Sequence, residues 1–131
     1  MREYGVGQSV PRIEDARLLT GRGRYTDDRK VPNAVYMALT RSPHAAATID
    51  RVDVAAALAM PGVLAVLTGA DVAADGLGGM SCSVKRKQRD GTPMVEPPYA
   101  ILAAGSVHQV GRPGAAVIAE TLAQALDGAE A

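Results

Sequence analysis

Residues 35–72 read VYMALTRSPHAAATIDRVDVAAALAMPGVLAVLTGADV, and the succession of patterns along this stretch decides the fold class. Residues 35–41 alternate. Val35, Met37 and Leu39 fall on one face and Tyr36, Ala38 and Thr40 on the other, the period of a half-buried strand. Ser42-Pro43 stops it, because proline has no N–H to give to a ladder. Residues 46–52 read as a second strand, and the short link predicts antiparallel pairing with the first. Asp53 stands where its carboxylate can accept the free N–H groups of a first helical turn. Residues 54–60 then read as a short helix rich in alanine, the best helix former, ended by Pro61-Gly62. Residues 63–68 are a continuous apolar run, the pattern of a strand buried on both faces. A second short helix over 69–74 follows, with Asp71 near its start.

Outward from this stretch the patterns weaken. Residues 1–34 show no clean period. Pro11, Pro32 and glycines 5, 7, 21 and 23 predict an extended arm with turns. One helical turn fits Ile13 to Leu19, started by Glu14-Asp15. Residues 75–98 read as a long loop, punctuated by GLGG, RDGTP and EPP. Residues 107–110 and 114–119 read as strands around a Gly111-Arg112-Pro113-Gly114 turn. Thr121 then caps a helix that runs to the end. The sum is an α+β domain over 35–131 with a mixed sheet and short helices, preceded by an extended arm over 1–34.

Composition limits what such a domain can do. The chain has 131 residues, enough for one domain. Of its hydrophobic residues, 24 are alanine, against 14 Val, 10 Leu and 4 Ile, with no Phe or Trp. At about 25 cal/mol per Å² of buried apolar surface, so much alanine predicts a thin core that leans on another surface. Net charge is zero, with 14 basic and 14 acidic residues, so no field argues for nucleic acid or an anionic membrane. Lys85, Arg86, Lys87 and Arg89 cluster, as a solvated loop does. The N-terminus lacks the apolar segment of a signal peptide, and no apolar run is long enough to span a bilayer.

Chemistry finds little to work with. The glycine pairs lack the strand-then-helix context of a dinucleotide or phosphate loop and read as turns. Ser42 and His44 are close in sequence, without the elbow that makes a nucleophile, and read as a strand-end turn. Cys82 is the single cysteine, with no helix start or histidine beside it to make a thiolate. A single thiol fits a reducing compartment. Glu14-Asp15 and Asp27-Asp28 are adjacent carboxylates in one wet environment, which suits helix starts and turns rather than acid–base work. Arg12, Arg17, Arg22 and Arg24 line the arm and suit bridges to an acidic partner surface.

Three blocks carry a resemblance: GVGQSVPRIEDARLLTGRGRYTDD, RSPHAAATIDRVDVAAALAMPGVLAVLTGADV and GTPMVEPPYAILAAGSVHQVGRPGAAVIAETLAQAL. In this order they resemble the opening of molybdenum hydroxylase large subunits, the molybdopterin-binding chains of the xanthine dehydrogenase, aldehyde oxidase and aerobic carbon monoxide dehydrogenase family. Gly21, Gly23, Tyr25, Asp27 and Asp28 match the family's GxGxYxDD segment. Arg41, Ser42, Pro43, His44 and Ala45 match its RSPHA turn, and Pro61 to Val63 and Thr68 to Asp71 its PGV and TGAD turns. Val110, Gly111 and Pro113 match its VGxP turn, and Ala119, Glu120 and Thr121 its AET helix start. Gly114 departs from the pattern, replacing a β-branched residue and weakening that strand.

The resemblance implies the α/β hammerhead domain of an oxidoreductase, with matched positions that are structural rather than catalytic. It implies a chain that stops before the family's last hammerhead strand, with the catalytic residues downstream. By the same resemblance the whole cytoplasmic enzyme carries molybdopterin cytosine dinucleotide. Iron–sulfur clusters and FAD sit on partner subunits or domains. The chain's partners are then the remainder of the molybdopterin-binding subunit and those iron–sulfur and FAD subunits, and the chain alone is inactive and binds no cofactor. Two rival readings are a standalone interaction module built from the same domain, and a small hydrolase or transferase using Ser42 and His44 or Cys82. The thin core predicts that the isolated chain melts at low temperature and binds an apolar-surface dye before the transition. A cooperative transition with a high midpoint and no dye binding contradicts this.

Overall fold

A computed structural model describes residues 7 and 9–131. The reading of residues 1–6 and 8 as part of an arm, Gly5 included, lies outside the described residues. The chain divides between Ala34 and Val35 into two compact units. In the first, the expected single turn forms as α1 (Asp15–Leu18). Its acidic first turn and Arg17 at the end suit the helix dipole. A 3-10 turn over Thr26–Asp28 closes when the Tyr25 N–H donates to Asp28 Oδ2 at 2.9 Å. This is the turn chemistry expected of the Asp27-Asp28 pair.

The second unit holds β1 (Tyr36–Arg41), β2 (Ala47–Thr48), α2 (Ala55–Leu58), β3 (Val63–Thr68), α3 (Gly69–Ala74), β4 (Ser106–Val107), β5 (Pro113–Ala119) and α4 (Leu122–Glu130). It is an α+β fold, and the expected mixed sheet is antiparallel in both of its parts. One sheet has three strands in the order β1-β5-β3, and the other pairs β2 with β4. β5 takes the centre because its small apolar residues are tolerated on both faces, and Ala115, Ala116, Val117 and Ala119 are all buried.

Four expectations change here. Residues 46–52 do not make a strand beside β1. Only Ala47–Thr48 is extended, and it pairs with Ser106–Val107. Ser42 stays bonded to residues 111 and 112 at the end of β5, and the chain bends away only at Pro43, which has no N–H to extend the ladder. The strand expected over 107–110 is likewise only Ser106–Val107, and Pro113 and Gly114 belong to β5 rather than to the turn. The helix expected over 54–60 shortens to Ala55–Leu58, although Asp53 Oδ1 does accept the Ala55 N–H at 3.1 Å. Finally, β3 is an edge strand, not a fully buried one. Leu64 is 53% exposed and Leu67 40%, because β5 lies on one side of it alone.

α4 is fixed at its start by a capping box. Thr121 Oγ1 accepts the Gln124 N–H at 3.3 Å, and Gln124 Oε1 accepts the Thr121 N–H at 3.0 Å. The helix lies against β1, β5 and β3 through small residues. Ala125 and Ala119 are fully buried beside Ala38. At Gly128 a Cβ would stand 3.0 Å from Val117 and 3.1 Å from Val63. The turn ahead of β3 uses Gly62 at φ 80°, a conformation that side chains resist. Alanine supplies most of the core, and among the described residues Leu102, Val107 and Val117 are the only larger buried hydrophobic side chains. A buried methyl contributes on the order of 0.8 kcal/mol, against about 1.5–3 for a buried Leu, so the thin core expected from composition is what forms.

The Thr68 hydroxyl and N–H both donate to Asp71 Oδ2, at 2.7 Å each, and cap α3. These bonds hold the Asp71 carboxyl below its ordinary value of 3.8. Two outcomes follow. Gly128→Val should destabilise the fold by about 1–3 kcal/mol, as overpacking does, measured by denaturant unfolding. The stabilisation of α3 by Asp71 should be complete above the ordinary carboxylate range and vanish as pH falls through the lowered value. An acid titration of the Thr68 amide resonance in wild type and Asp71→Asn checks it.

Candidate functional site

In the first unit the arm residues singled out in the sequence are on the surface and bonded locally. Arg12 Nε lies 3.6 Å from Asp15 Oδ1, and Arg17 Nη2 lies 3.3 Å from Glu14 Oε1. Gly21 turns the chain at φ 67°. A Cβ on Gly23 would meet the Leu18 side chain at 2.6 Å, so this glycine lets the chain fold back on α1. Tyr25 is 66% exposed, and Asp27 and Asp28 are exposed with it. Exposed ion pairs of this kind contribute little to stability. They leave the arm's charge available to another surface.

In the second unit the structure brings the two quoted turns together. The Ser42 N–H donates to Arg112 O at 2.9 Å, and the Gly111 N–H donates back to Ser42 O at 2.8 Å. Arg41 Nη1 donates to Gly111 O at 2.9 Å. Arg41 pairs with Pro113 across the ladder, where the register shifts by a bulge. Gly111 sits at φ 79°, the left-handed conformation the tight turn requires. Gly114 lies inside the bulged region with room to spare, since a Cβ would meet only Thr40 O at 3.9 Å. The clasp of residues 41–44 on 111–113 borders an open groove of about 590 Å³, whose other wall is the segment 47–53.

This geometry uses the Ser42 hydroxyl up. It donates to His44 O at 3.1 Å and accepts the His44 N–H at 3.0 Å. Both bonds go to backbone, so the imidazole is not the base of a Ser–His pair. Cys82 is exposed, and its thiol donates to Val84 O at 3.2 Å. No group of three His, Cys, Asp or Glu side chains among the described residues could hold a metal ion. With a single cysteine the chain has no thiolate set for an iron–sulfur cluster. No described helix is long and apolar enough to cross a membrane.

What the surface does offer is an apolar sheet face. Residues opposite one another across a ladder point to the same side. Met37 and Leu39 of β1, Ile118 of β5 and Leu67 of β3 therefore share the face away from Ala38, Val117 and α4. Met37 is 59% exposed, Leu67 40%, and Leu39 and Ile118 are half-buried. Sequence reading also passed over Arg112, which is buried with its guanidinium 3.8 Å above the Tyr99 ring. Its one signal was an arginine between Gly111 and Pro113, at the mouth of an apolar strand.

Residues 20–131 match the family described as aldehyde oxidase and xanthine dehydrogenase, a/b hammerhead domain. The chain is 39% identical over 122 residues to the nicotine 6-hydroxylase large subunit of Paenarthrobacter nicotinovorans, covering 93% of this chain and 14% of that subunit. Its structure superposes on quinoline 2-oxidoreductase from Pseudomonas putida 86 with a TM-score of 0.82 at 39% identity, over 98% of this chain and 16% of that one. It superposes on a Cu,Mo-CO dehydrogenase with a TM-score of 0.73 at 34% identity, over 96% and 14%. The chain thus spans a small part of the length of the relatives it matches. With the fold, the two clasped turns and these likenesses in agreement, the chain belongs to the aldehyde oxidase and xanthine dehydrogenase family, its match to the a/b hammerhead domain running over residues 20–131.

Proposed function

We propose that this chain is a non-catalytic structural domain of a larger molybdenum-dependent oxidoreductase subunit, with residues 1–34 an arm and residues 35–131 the hammerhead-like domain. One observation carries the reading. Residues 63–68 have the unbroken apolar pattern of a strand covered on both faces, yet α4 and α2 cover one side, and Met37, Leu39, Leu67 and Ile118 line an open one. An exposed apolar face of this kind marks an interaction surface. The occupant is the remainder of the large subunit, since relatives extend far beyond the part that this chain matches.

Within that reading, the clasp formed by Arg41, Ser42, Pro43, His44, Gly111 and Pro113 shapes the end of the sheet. Arg12, Arg17, Gly21, Gly23, Tyr25, Asp27 and Asp28 order the arm for contact with a partner surface. The parent enzyme is cytoplasmic and oxidises a carbon centre or carbon monoxide with water as oxygen source. Its molybdenum is carried as molybdopterin cytosine dinucleotide by downstream domains, with iron–sulfur clusters and FAD on partner subunits or domains. The names of the relatives support a multi-subunit molybdenum enzyme; the finer cofactor set rests on family resemblance. No step of that chemistry is assigned to a side chain of this domain.

The test is on the native host: isolate the species that contains this chain and measure its mass and molybdenum content together. A large molybdenum complex is expected. A metal-free species of this chain's own mass contradicts the reading and favours a standalone module. Met37→Asp should leave the isolated chain within about 0.5 kcal/mol of wild type, as surface changes do, while blocking assembly of the large subunit. Ser42→Ala should cost about 0.5–1.5 kcal/mol of stability through the lost turn bonds. His44→Ala should cost little, because only its backbone is used. Loss of a hydrolytic activity in both variants would instead revive a Ser–His enzyme.

A further inference from the structure

Arg112 is an unusual residue for so small a core. It retains 8% of its accessible surface, and it is the one buried charged side chain among the described residues. Its Nη2 donates to Ala100 O, and its plane rests on the Tyr99 ring. Its Nη1 is buried and has no hydrogen-bond partner. Among the described residues no carboxylate pairs with it. A buried guanidinium with neither a counter-charge nor a full set of acceptors is an incomplete arrangement, because desolvation penalises the charge and the orphaned donor together.

The same side chain lines a cavity of about 270 Å³. Ser106 Oγ and His108 Nε2, 3.1 Å apart, and Gln109, whose Nε2 donates to the Tyr99 hydroxyl at 2.9 Å, are its other polar walls. No acidic side chain lines it. We propose that Arg112 and this cavity form a binding site for a carboxylate. The guanidinium is a planar fork that matches a carboxylate in two parallel bonds. A single cation balances a monoanion, whereas a phosphate dianion beside it keeps an unmatched charge. Nη1 is sealed in this conformation, so binding a carboxylate through the fork requires the Arg112 side chain or the Tyr99 ring stacked on it to shift. The ligand is either a small carboxylate or a Glu or Asp side chain of another polypeptide. This assignment stands independently of the large-subunit reading.

The probe is the Arg112 Nε–H resonance of the isotope-labelled chain, titrated at neutral pH and constant ionic strength. One arm uses sodium acetate against sodium chloride. The other uses a capped glycine-rich peptide carrying one glutamate against its glutamine counterpart. The expected result is a saturable shift with acetate or the glutamate peptide, absent with chloride and the glutamine peptide, and absent in Arg112→Gln at a remaining reporter, the His108 ring. Saturation by the peptide at about tenfold lower concentration, a gain of about 1.4 kcal/mol, identifies a protein-borne carboxylate. Equal or stronger binding of acetate identifies a small molecule. Absence of any saturable shift in the wild-type chain overturns the proposal, even if Arg112→Gln fails to fold. So does an unchanged His108 shift in a folded Arg112→Gln.

Discussion

The close approach of α4 to the three-stranded sheet is the contact on which the rest of the second unit depends. It is built from the absence of side chains. Ala38, Ala119 and Ala125 meet without large groups between them, and Gly128 stands where a single added carbon would press on Val117 and Val63. Such a contact brings backbone near backbone and fixes position tightly, yet it removes little apolar area from water. Everything the sheet positions inherits that trade. The clasp of Ser42 on Gly111 and the strand entry at Pro113 are placed accurately by a core that is energetically thin.

That imbalance gives the open face its meaning. A domain with few large buried side chains leaves Met37 and Leu67 in water on the face opposite α4, although covering them would add more apolar burial than any alanine inside. Association with a second surface stabilises the state that presents the face. The hammerhead domain is thus better understood as one layer of a larger packing than as a body with a core of its own.

The elements legible in the sequence were those whose determinants are local. The helix starts at Thr121 and near Asp71 are fixed within a few residues and form where they were expected, and the structure adds the partners Gln124 and Thr68 that complete each cap. The pairing of Ala47–Thr48 was not legible, because Ser106–Val107 lies far away in sequence and Ser42 is held by residues 111 and 112, equally remote. The edge position of residues 63–68 was misread for a related reason, since an apolar strand pattern records the faces a strand will eventually bury and not those it buries within this chain. At the candidate site, the Ser42 hydroxyl bonds only the backbone of His44, as in a strand-end turn. Arg112 and Tyr99 escaped notice because their stacking depends on the path of a loop that no local signal predicts.

Oxidation of methionine tests the central claim most directly. Met37 is 59% exposed on the open sheet face and Met80 is 65% exposed in the long loop, so in the isolated chain dilute peroxide should oxidise both at similar rates. In the assembled large subunit Met37 should be strongly protected relative to its rate in the isolated chain. Equal Met37 rates in the isolated chain and in the assembled subunit would contradict the account, because the face would then have no partner.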